Sequence, residues 1–364
     1  MTHRQNEVTK EKAVAAAGCK RDITIDILRL LGLIGVILAH CSIPGPLFEL
    51  REFDVTMLVL ASGMSYACAA GKQEEPVTVR SWFSYVVKRF QRLIVPVWIF
   101  LVFYFLFFWL VFDVSYDWRY LLSSFALTSS GIQFVWVFRV FFTSAIFNPL
   151  LGSFVSKKGT VWSLRCFGVV LVLNEVLIVE SAELLPASAN RVLSFVLFYT
   201  VAYAMISGLG IVLQQMKNRN QWKLLLISAF VWAFFGFRSG WSSLQAYKYP
   251  PQLYYIGYGF MVTVFIDLLL SQKKQKEKAE SRCLLWLSRH SMDIYLAHIL
   301  VIYFVQALSL GSSISWVLQF LLYFGCSVVL VMLFQQLQRV NSVFLGKGQG
   351  SSAPPVPKSR HPHR

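Results

Sequence analysis

The chain has 364 residues, of which 56% are hydrophobic and only 14% are charged, and it carries 31 Phe, 15 Tyr and 11 Trp. Ordinary soluble domains carry about 25% charged residues, so this composition excludes that class and predicts a lipid-facing bundle with interfacial aromatic residues. The net charge of +16 does not indicate a nucleic-acid partner, because the positive residues lie where membrane topology and anionic headgroups require them.

Ten apolar segments approach the roughly 20 residues that a membrane helix needs. The sequence therefore predicts an all-α, polytopic integral membrane protein with about ten transmembrane helices. A further apolar stretch, Tyr120–Thr128, is too short to span and is a candidate re-entrant segment. The ten predicted spans are about 25–43, 53–70, 92–112, 131–152, 161–179, 193–215, 222–237, 253–271, 284–308 and 314–336.

The distribution of basic residues predicts the orientation. Of 34 Lys and Arg, 27 fall on the termini and alternate loops, 5 fall on the opposite loops, and Arg29 and Arg139 lie inside spans. The positive-inside rule then places both termini in the cytoplasm. One predicted cytoplasmic loop holds Lys273, Lys274, Lys276, Lys278, Arg282 and Arg289. The opposite side holds Arg51, Arg119, Arg191, Arg238 and Lys248.

Three regions follow from composition. Residues 1–21 form a polar cytoplasmic arm without a cleavable signal peptide, residues 22–345 form the transmembrane domain, and residues 346–364 form a basic cytoplasmic tail expected to be disordered. The six cysteines show no spacing typical of a disulfide framework or a metal site. We expect free thiols and no bound metal.

The first candidate site lies in the first span, where Asp26, Arg29 and His40 are the charged or readily protonated residues. Charged residues inside a span are unfavourable and are functional candidates by default. Positions 29 and 40 lie eleven residues apart in this predicted helix and share a stripe about 16 Å long. For Arg29 alone, an interfacial ion pair with Asp26 is the favoured interpretation. His40 is suited to general base catalysis near neutral pH.

Lys88, Arg89 and Arg92 form a second basic group at the cytoplasmic end of the third span. Arg89 and Arg92 are three residues apart and share a helical face. A purely topogenic role explains such charges well. The functional alternative is a phosphate clamp, because guanidinium groups bind phosphate oxygens in a bidentate manner.

On the opposite side, Arg139 lies within the fourth span, where we expect a carboxylate or a ligand beside it. Asp54 opens the second span, which continues to Ser62-Gly63, a small pair that permits close helix approach. The acidic residues available there as partners are Glu49, Glu52, Asp54, Asp113, Asp117, Glu180 and Glu183.

Two weaker candidates lie near the carboxyl terminus of the domain. Ser291, Tyr295 and His298 share one helical face, which is equally consistent with interhelical hydrogen bonding and with function. Lys248 lies in the segment Tyr247–Pro251, which is either an acceptor-facing surface or an interfacial aromatic anchor. The anchor is the simpler interpretation.

In these residues the chain resembles the membrane acyltransferase-3 family, bacterial ten-helix proteins that modify surface sugars. The resemblance covers about Asp22 to Leu337. Its most specific element is Arg29-x10-His40, followed by Arg89-x-x-Arg92. Weaker family-like segments are Phe53–Val55 through Gly63, Trp136–Arg139, Lys248–Pro251 and Ser291–His298.

The resemblance implies a membrane O-acyltransferase of the bacterial inner membrane. It would move an acyl group, most often acetyl, from cytosolic acyl-CoA to a hydroxyl of a cell-surface polysaccharide or lipid-linked sugar. His40 would be catalytic with Arg29, while Lys88, Arg89 and Arg92 would hold the CoA phosphates. The residues that would bind the acceptor or support catalysis are Arg139, Asp54, Lys248, Tyr295 and His298.

The same resemblance implies that no cofactor is bound besides the donor substrate. It implies as partners acyl-CoA, the sugar acceptor, membrane lipid and possible glycan-assembly proteins. Some larger relatives carry an esterase-like extracytoplasmic domain. None is expected here, so direct transfer is the simpler expectation. The rival interpretations are a transporter of an anionic or proton-coupled solute and a scaffold of a glycan-assembly complex.

Overall fold

The computed structural model describes residues 22–71, 77–216, 218–272, 282–310 and 314–347. The predicted arm 1–21, the lysines at 273–278 and tail residues 348–364 lie outside these ranges. Within them, the chain is mainly α-helical, with connecting loops, short 3-10 and π turns and one isolated bridge between Lys248 and Pro251. The predicted all-α class is therefore confirmed for the described part of the chain.

Fourteen α-helices follow one another along the described residues. They are α1 Ile23–Leu38, α2 Gly45–Leu50, α3 Asp54–Ala70, α4 Val79–Phe112, α5 Trp118–Phe125, α6 Trp136–Lys158, α7 Thr160–Leu184, α8 Ala187–Leu193, α9 Tyr199–Gln215, α10 Asn218–Arg238, α11 Leu253–Gln272, α12 Arg282–Arg289, α13 Ser291–Ala307 and α14 Trp316–Lys347.

Seven helical segments of the described chain are long and apolar enough to cross a membrane. They contain α3, α4, α6, α7, α9, α11 and α14, each matching a predicted span. Three other predicted spans correspond to α1 and α13, which have only 16 and 17 residues, and to the less apolar α10. A multi-pass membrane protein is thus supported, whereas ten spans and cytoplasmic termini stay predictions.

Two of the predicted spans differ from the helices in the structure. Helix α1 ends at Leu38, because Ala39, His40 and Cys41 each donate a hydrogen bond three residues back, which tightens the last turn. His40 therefore follows the helix rather than sharing its stripe with Arg29. The ninth span is not one helix either, since His290 leaves the α-helical conformation (φ −103°, ψ 16°) between α12 and α13.

One cysteine also differs from the expectation. Cys41, Cys166, Cys283 and Cys326 are free thiols as expected. Cys68 instead takes part in a disulfide bond. The described residues contain no cluster of side chains that could hold a metal ion.

Helix α3 lies at the centre of the bundle and packs on α1, α6, α9 and α11. Small residues permit this close approach: a Cβ atom added at Gly63 would lie 1.9 Å from the Ser207 carbonyl oxygen, and one added at Gly210 would lie 2.2 Å from that of Leu60. The predicted role of Gly63 in close packing is therefore confirmed. The core of the protein is formed around this α3–α9 contact.

The contact between α1 and α3 brings His40 towards Asp54. A Cβ atom added at Gly35 would lie 3.0 Å from the Cβ of Asp54, and one at Gly32 would lie 2.6 Å from Leu58. The end of α1 therefore lies directly beside the beginning of α3.

We expect Gly63→Ala to destabilise the protein by about 1–3 kcal/mol, because the added methyl group overlaps backbone atoms of α9. Gly168→Ala on α7 is the matched control, since no atom lies within 4 Å of a Cβ placed there. Thermal unfolding of both variants in the same detergent tests the prediction. Equal midpoints for the two variants would contradict the close α3–α9 contact.

Candidate active site

A cavity of about 490 Å³ lies at the end of the bundle where α1 ends and α3 and α6 begin. Segments distant in sequence meet there: the end of α1, the turn after α2, the start of α6 and the loop before α11. Five residues predicted from sequence line this cavity, namely His40, Asp54, Arg139, Lys248 and Tyr295. Arg29, Lys88, Arg89 and Arg92 do not.

His40 is surrounded by aromatic rings. Its imidazole lies edge-on to Phe134, with 4.3 Å between ring centroids, and is stacked 5.8 Å from the ring of His298. Among the described residues, none forms a hydrogen bond with the His40 side chain. Its ring nitrogens are therefore available to a ligand in the cavity.

His298 and Tyr295 form the support behind His40. The buried His298 does not line the cavity, and its Nδ1 is hydrogen-bonded to the Tyr295 carbonyl oxygen. The Tyr295 hydroxyl donates to the Phe134 carbonyl oxygen at 2.9 Å. This bond supports the structural interpretation of Tyr295, and it fixes the ring that packs on His40.

Four buried charged groups form a cluster at the cavity, and three of them, Arg51, Asp54 and Lys248, line it. Arg51 contacts Glu52 at 2.7 Å and Asp54 at 2.8 Å. Lys248 contacts the same two carboxylates at 2.9 and 3.1 Å. The side chains of all four residues are at most 6% exposed. Because each cation contacts both carboxylates, the group is electrically balanced, and we call it the charge cluster.

The charge cluster corrects the interpretation of Lys248. The sequence favoured an interfacial anchor, but Lys248 is only 3% exposed and bridges two carboxylates. Burial alone would lower the pKa of Lys248, but attraction by Asp54, Tyr249 and Glu52 outweighs burial and raises that pKa above its ordinary value. Lys248 therefore remains protonated at neutral pH.

Sequence reasoning missed Arg51 as a site residue and left Glu52 among many acidic candidates. Arg51 was counted only as one of the few cations on its side of the membrane. The available signal was the run of opposite charges at 51, 52 and 54, directly before an apolar helix. Such a run in a charge-poor region predicts a paired cluster, because isolated buried charges are unfavourable.

The sequence predicted a carboxylate or a ligand beside Arg139, and the described residues supply no such carboxylate. The guanidinium of Arg139 lies 3.7 Å from the ring centroid of Phe195 and 6.0 Å from that of Tyr199. No carboxylate of the described residues lies within 4.0 Å of it, and its buried Nη1 has no hydrogen-bond partner. Arg139 is thus held by aromatic faces and borders the cavity.

Aromatic and uncharged polar groups line the rest of the cavity. Trp136 and Tyr249 are in edge-to-face contact, with ring centroids 5.1 Å apart. Ser129, Gln133 and Gln245 also line the cavity. Apolar and aromatic walls with a few polar groups are typical of small-molecule binding sites.

Arg29, predicted to be catalytic with His40, and Arg89, predicted to hold the donor, lie at the other end of α3. Arg29 donates to Ser65 Oγ at 2.5 Å and lies 3.8 Å from Asp26, as the ion-pair interpretation predicted. Arg89 donates to the hydroxyl of Tyr85, whose ring contacts that of Tyr66, the next residue after Ser65.

Both basic motifs of the sequence thus converge on one turn of α3. Ser65 follows Asp54 by eleven residues, which corresponds to about 16 Å along the helix. Lys88 and Arg92 are exposed near this turn. The structure therefore separates the predicted basic site from the His40 cavity by most of the length of α3.

We expect Lys248→Met to destabilise the protein by about 3–5 kcal/mol, because it leaves two buried carboxylates with one cation. Arg191→Met, at an exposed cation on the same predicted side, is the matched control. Adding Glu52→Gln to Lys248→Met should recover part of the loss, since it restores the charge balance. Thermal midpoints that are the same for all three variants would contradict a tightly paired cluster.

One comparison with known proteins finds a match for this chain. A model of the acyltransferase domain of acyltransferase family 3 matches residues 22–335. Comparison with the curated proteins and with the solved structures finds no match. The matched range covers every helix that lines the cavity and both basic motifs. The resemblance seen in Arg29-x10-His40 is thereby confirmed, and the chain belongs to acyltransferase family 3.

Proposed function

We propose that the protein transfers an acyl group, acetyl in the simplest case, from cytosolic acyl-CoA to a hydroxyl of a cell-surface polysaccharide or lipid-linked sugar. It would do so from the bacterial cytoplasmic membrane. Membership of the family supports acyl transfer. The observation that carries the proposal is His40, whose imidazole faces a polar cavity without a hydrogen-bond partner among the described residues.

His40 acts as the general base in this proposal. Its imidazole accepts the proton of the acceptor hydroxyl while the hydroxyl oxygen attacks the thioester carbonyl carbon. The tetrahedral intermediate then collapses, the carbon–sulfur bond breaks, and the imidazolium returns the proton to the CoA thiolate. The products are the acyl ester and free CoA, so no other reactant is needed.

The charge cluster supports this reaction electrostatically. Arg51 and Lys248 border the cavity, and each is fixed by two contacts to carboxylates. Cations held in place before the reaction stabilise negative charge as it develops on the thioester oxygen. Asp54 and Glu52 act in this scheme as positioning residues that keep the two cations oriented.

The donor is held at the opposite end of α3. Arg29 and Arg89 meet around Ser65 and Tyr66, with Lys88 and Arg92 nearby. Guanidinium groups suit the phosphates of CoA, whereas the thioester must reach His40. The flexible pantetheine arm provides the required reach along α3.

The acceptor side of the cavity fits a sugar. Trp136 and Tyr249 offer aromatic faces to an apolar sugar face, while Gln133 and Gln245 offer hydrogen bonds to hydroxyls. A volume of about 490 Å³ lies in the range of small-molecule sites. Tyr295 and His298 support the reaction by positioning Phe134 and His40.

A transporter of an anionic or proton-coupled solute is the alternative, because the cavity contains several cations. The two functions differ in their requirement for acyl-CoA. A transporter moves its solute into proteoliposomes without acyl-CoA, whereas the proposed enzyme consumes acyl-CoA and labels a glycan.

We expect His40→Gln to reduce acyl transfer by about 10²–10⁴-fold, the usual contribution of a general base. The measurement uses protein in nanodiscs with radiolabelled acetyl-CoA and a membrane glycan fraction from the host, and it follows CoA release and glycan labelling. His290→Gln is the matched control, because His290 lies between α12 and α13 and does not line the cavity.

Full labelling by a folded His40→Gln protein would contradict the assigned role of His40. If the wild type consumes no acetyl-CoA, a panel of longer and acidic acyl-CoAs tests the choice of acyl group. Failure with all of them, together with solute uptake in proteoliposomes, would favour the transporter.

We expect Arg89→Gln to raise the KM for acetyl-CoA about 10-fold or more while leaving kcat little changed, because a hydrogen bond to a charged group contributes about 1.5–3 kcal/mol. Arg165→Gln, at an exposed arginine of α7, is the control for general loss of basic charge. A fall in kcat with constant KM would place Arg89 outside the donor site.

A further inference from the structure

We infer that the acceptor carries an anionic group, a carboxylate or a phosphate, that pairs with Arg139 in the cavity. The inference rests on the proposed function and names the substrate class of the same site.

The charges around the cavity are unequal. In the charge cluster, Arg51 and Lys248 are balanced by Glu52 and Asp54. Arg139 is the further cation that borders the cavity, and none of the described carboxylates lies within ion-pair distance of it. Counted together, the charge cluster and Arg139 therefore carry one positive charge in excess.

The surroundings of Arg139 position it without neutralising it. Phe195 lies 3.7 Å from the guanidinium carbon and Tyr199 contributes a second, more distant ring. These rings stabilise a cation by their quadrupole but leave its hydrogen bonds unmade. Nη1 is buried and lacks a partner among the described residues. A buried guanidinium nitrogen in this state is unfavourable unless a ligand supplies the acceptor.

The location of Arg139 strengthens the attraction for an anion. Arg139 is the fourth residue of α6, so the positive end of that helix dipole adds to its charge. A planar guanidinium binds two oxygens of a carboxylate or phosphate at once. The nearby Trp136 and Gln133 then contact the rest of the sugar.

In the proposed arrangement, the phosphates of the donor cannot be the anion that pairs with Arg139. Arg29 and Arg89, the residues assigned to them, converge on α3 at about 16 Å from Asp54. An acidic acyl group such as succinyl is the competing source of an anion in the cavity. It differs from an anionic acceptor because it travels with the donor.

The experiment compares wild type, Arg139→Gln and the exposed control Arg119→Gln in nanodiscs with radiolabelled acetyl-CoA. The acceptor is the host membrane glycan fraction, used untreated, after reduction of its carboxylates to alcohols, and after removal of its phosphates. The expected result is that wild type and Arg119→Gln lose at least tenfold in labelling after one of the two treatments. That treatment identifies the anion as a carboxylate or a phosphate.

Arg139→Gln should label the untreated fraction at least tenfold less than wild type, and the effective treatment should reduce its labelling little further. Equal labelling of all three fractions by wild type would overturn the inference while leaving acyl transfer intact. A preference of wild type for succinyl-CoA over acetyl-CoA that disappears in Arg139→Gln would also overturn it, because Arg139 would then contact the donor. Absence of CoA release with every fraction would instead reject the proposed function.

Thermal unfolding separates this role from a structural one. Arg139→Gln removes a cation that no described carboxylate balances and loses its contacts with the rings of Phe195 and Tyr199, so its thermal midpoint without acceptor should fall far less than that of Lys248→Met. A midpoint that falls as far as that of Lys248→Met would indicate a structural partner for Arg139 and would overturn the inference.

Discussion

The candidate active site depends on the pairing of Arg51 and Lys248 with Glu52 and Asp54. These four charged side chains are at most 6% exposed in an apolar bundle. Such burial is tolerated only if each charge is paired with an opposite charge. Lys248 lies 196 residues from Glu52 in sequence, so this pairing draws the loop before α11 over the start of α3. The same contact closes the cavity beside His40. The electrostatic requirement of the cluster thus determines where the cavity forms.

The position of His40 follows from a second, steric constraint. Gly32 and Gly35 let α1 lie against α3, and the tightened last turn then ends α1 level with Asp54. A histidine inside a continuous helix would point along the helix surface toward neighbouring side chains. Because His40 follows the last turn, its ring lies between Phe134 and His298 and borders the cavity.

Local patterns in the sequence predicted the helices and the residue types of the site, but not the partners of those residues. Apolar runs predicted the helices, and the short ion pair of Asp26 with Arg29 was predicted because its members are three residues apart. Periodicity carries no information about contacts such as Lys248 with Glu52 or Arg139 with Phe195, which depend on tertiary packing. The end of α1 was missed for a related reason, since the residues after Leu38 remain apolar enough to continue a span.

The two ends of α3 offer a physical solution to acyl transfer across a membrane. The phosphates of CoA are highly charged, and moving them into the bilayer is unfavourable. In the proposed reaction, Arg29 and Arg89 keep those charges at one end of α3, and only the uncharged thioester approaches His40. The acceptor meets it from the opposite end, where Arg139 offers a charge to an anionic sugar. Separating the two charged recognition sites by most of a helix lets each substrate bind from its own side.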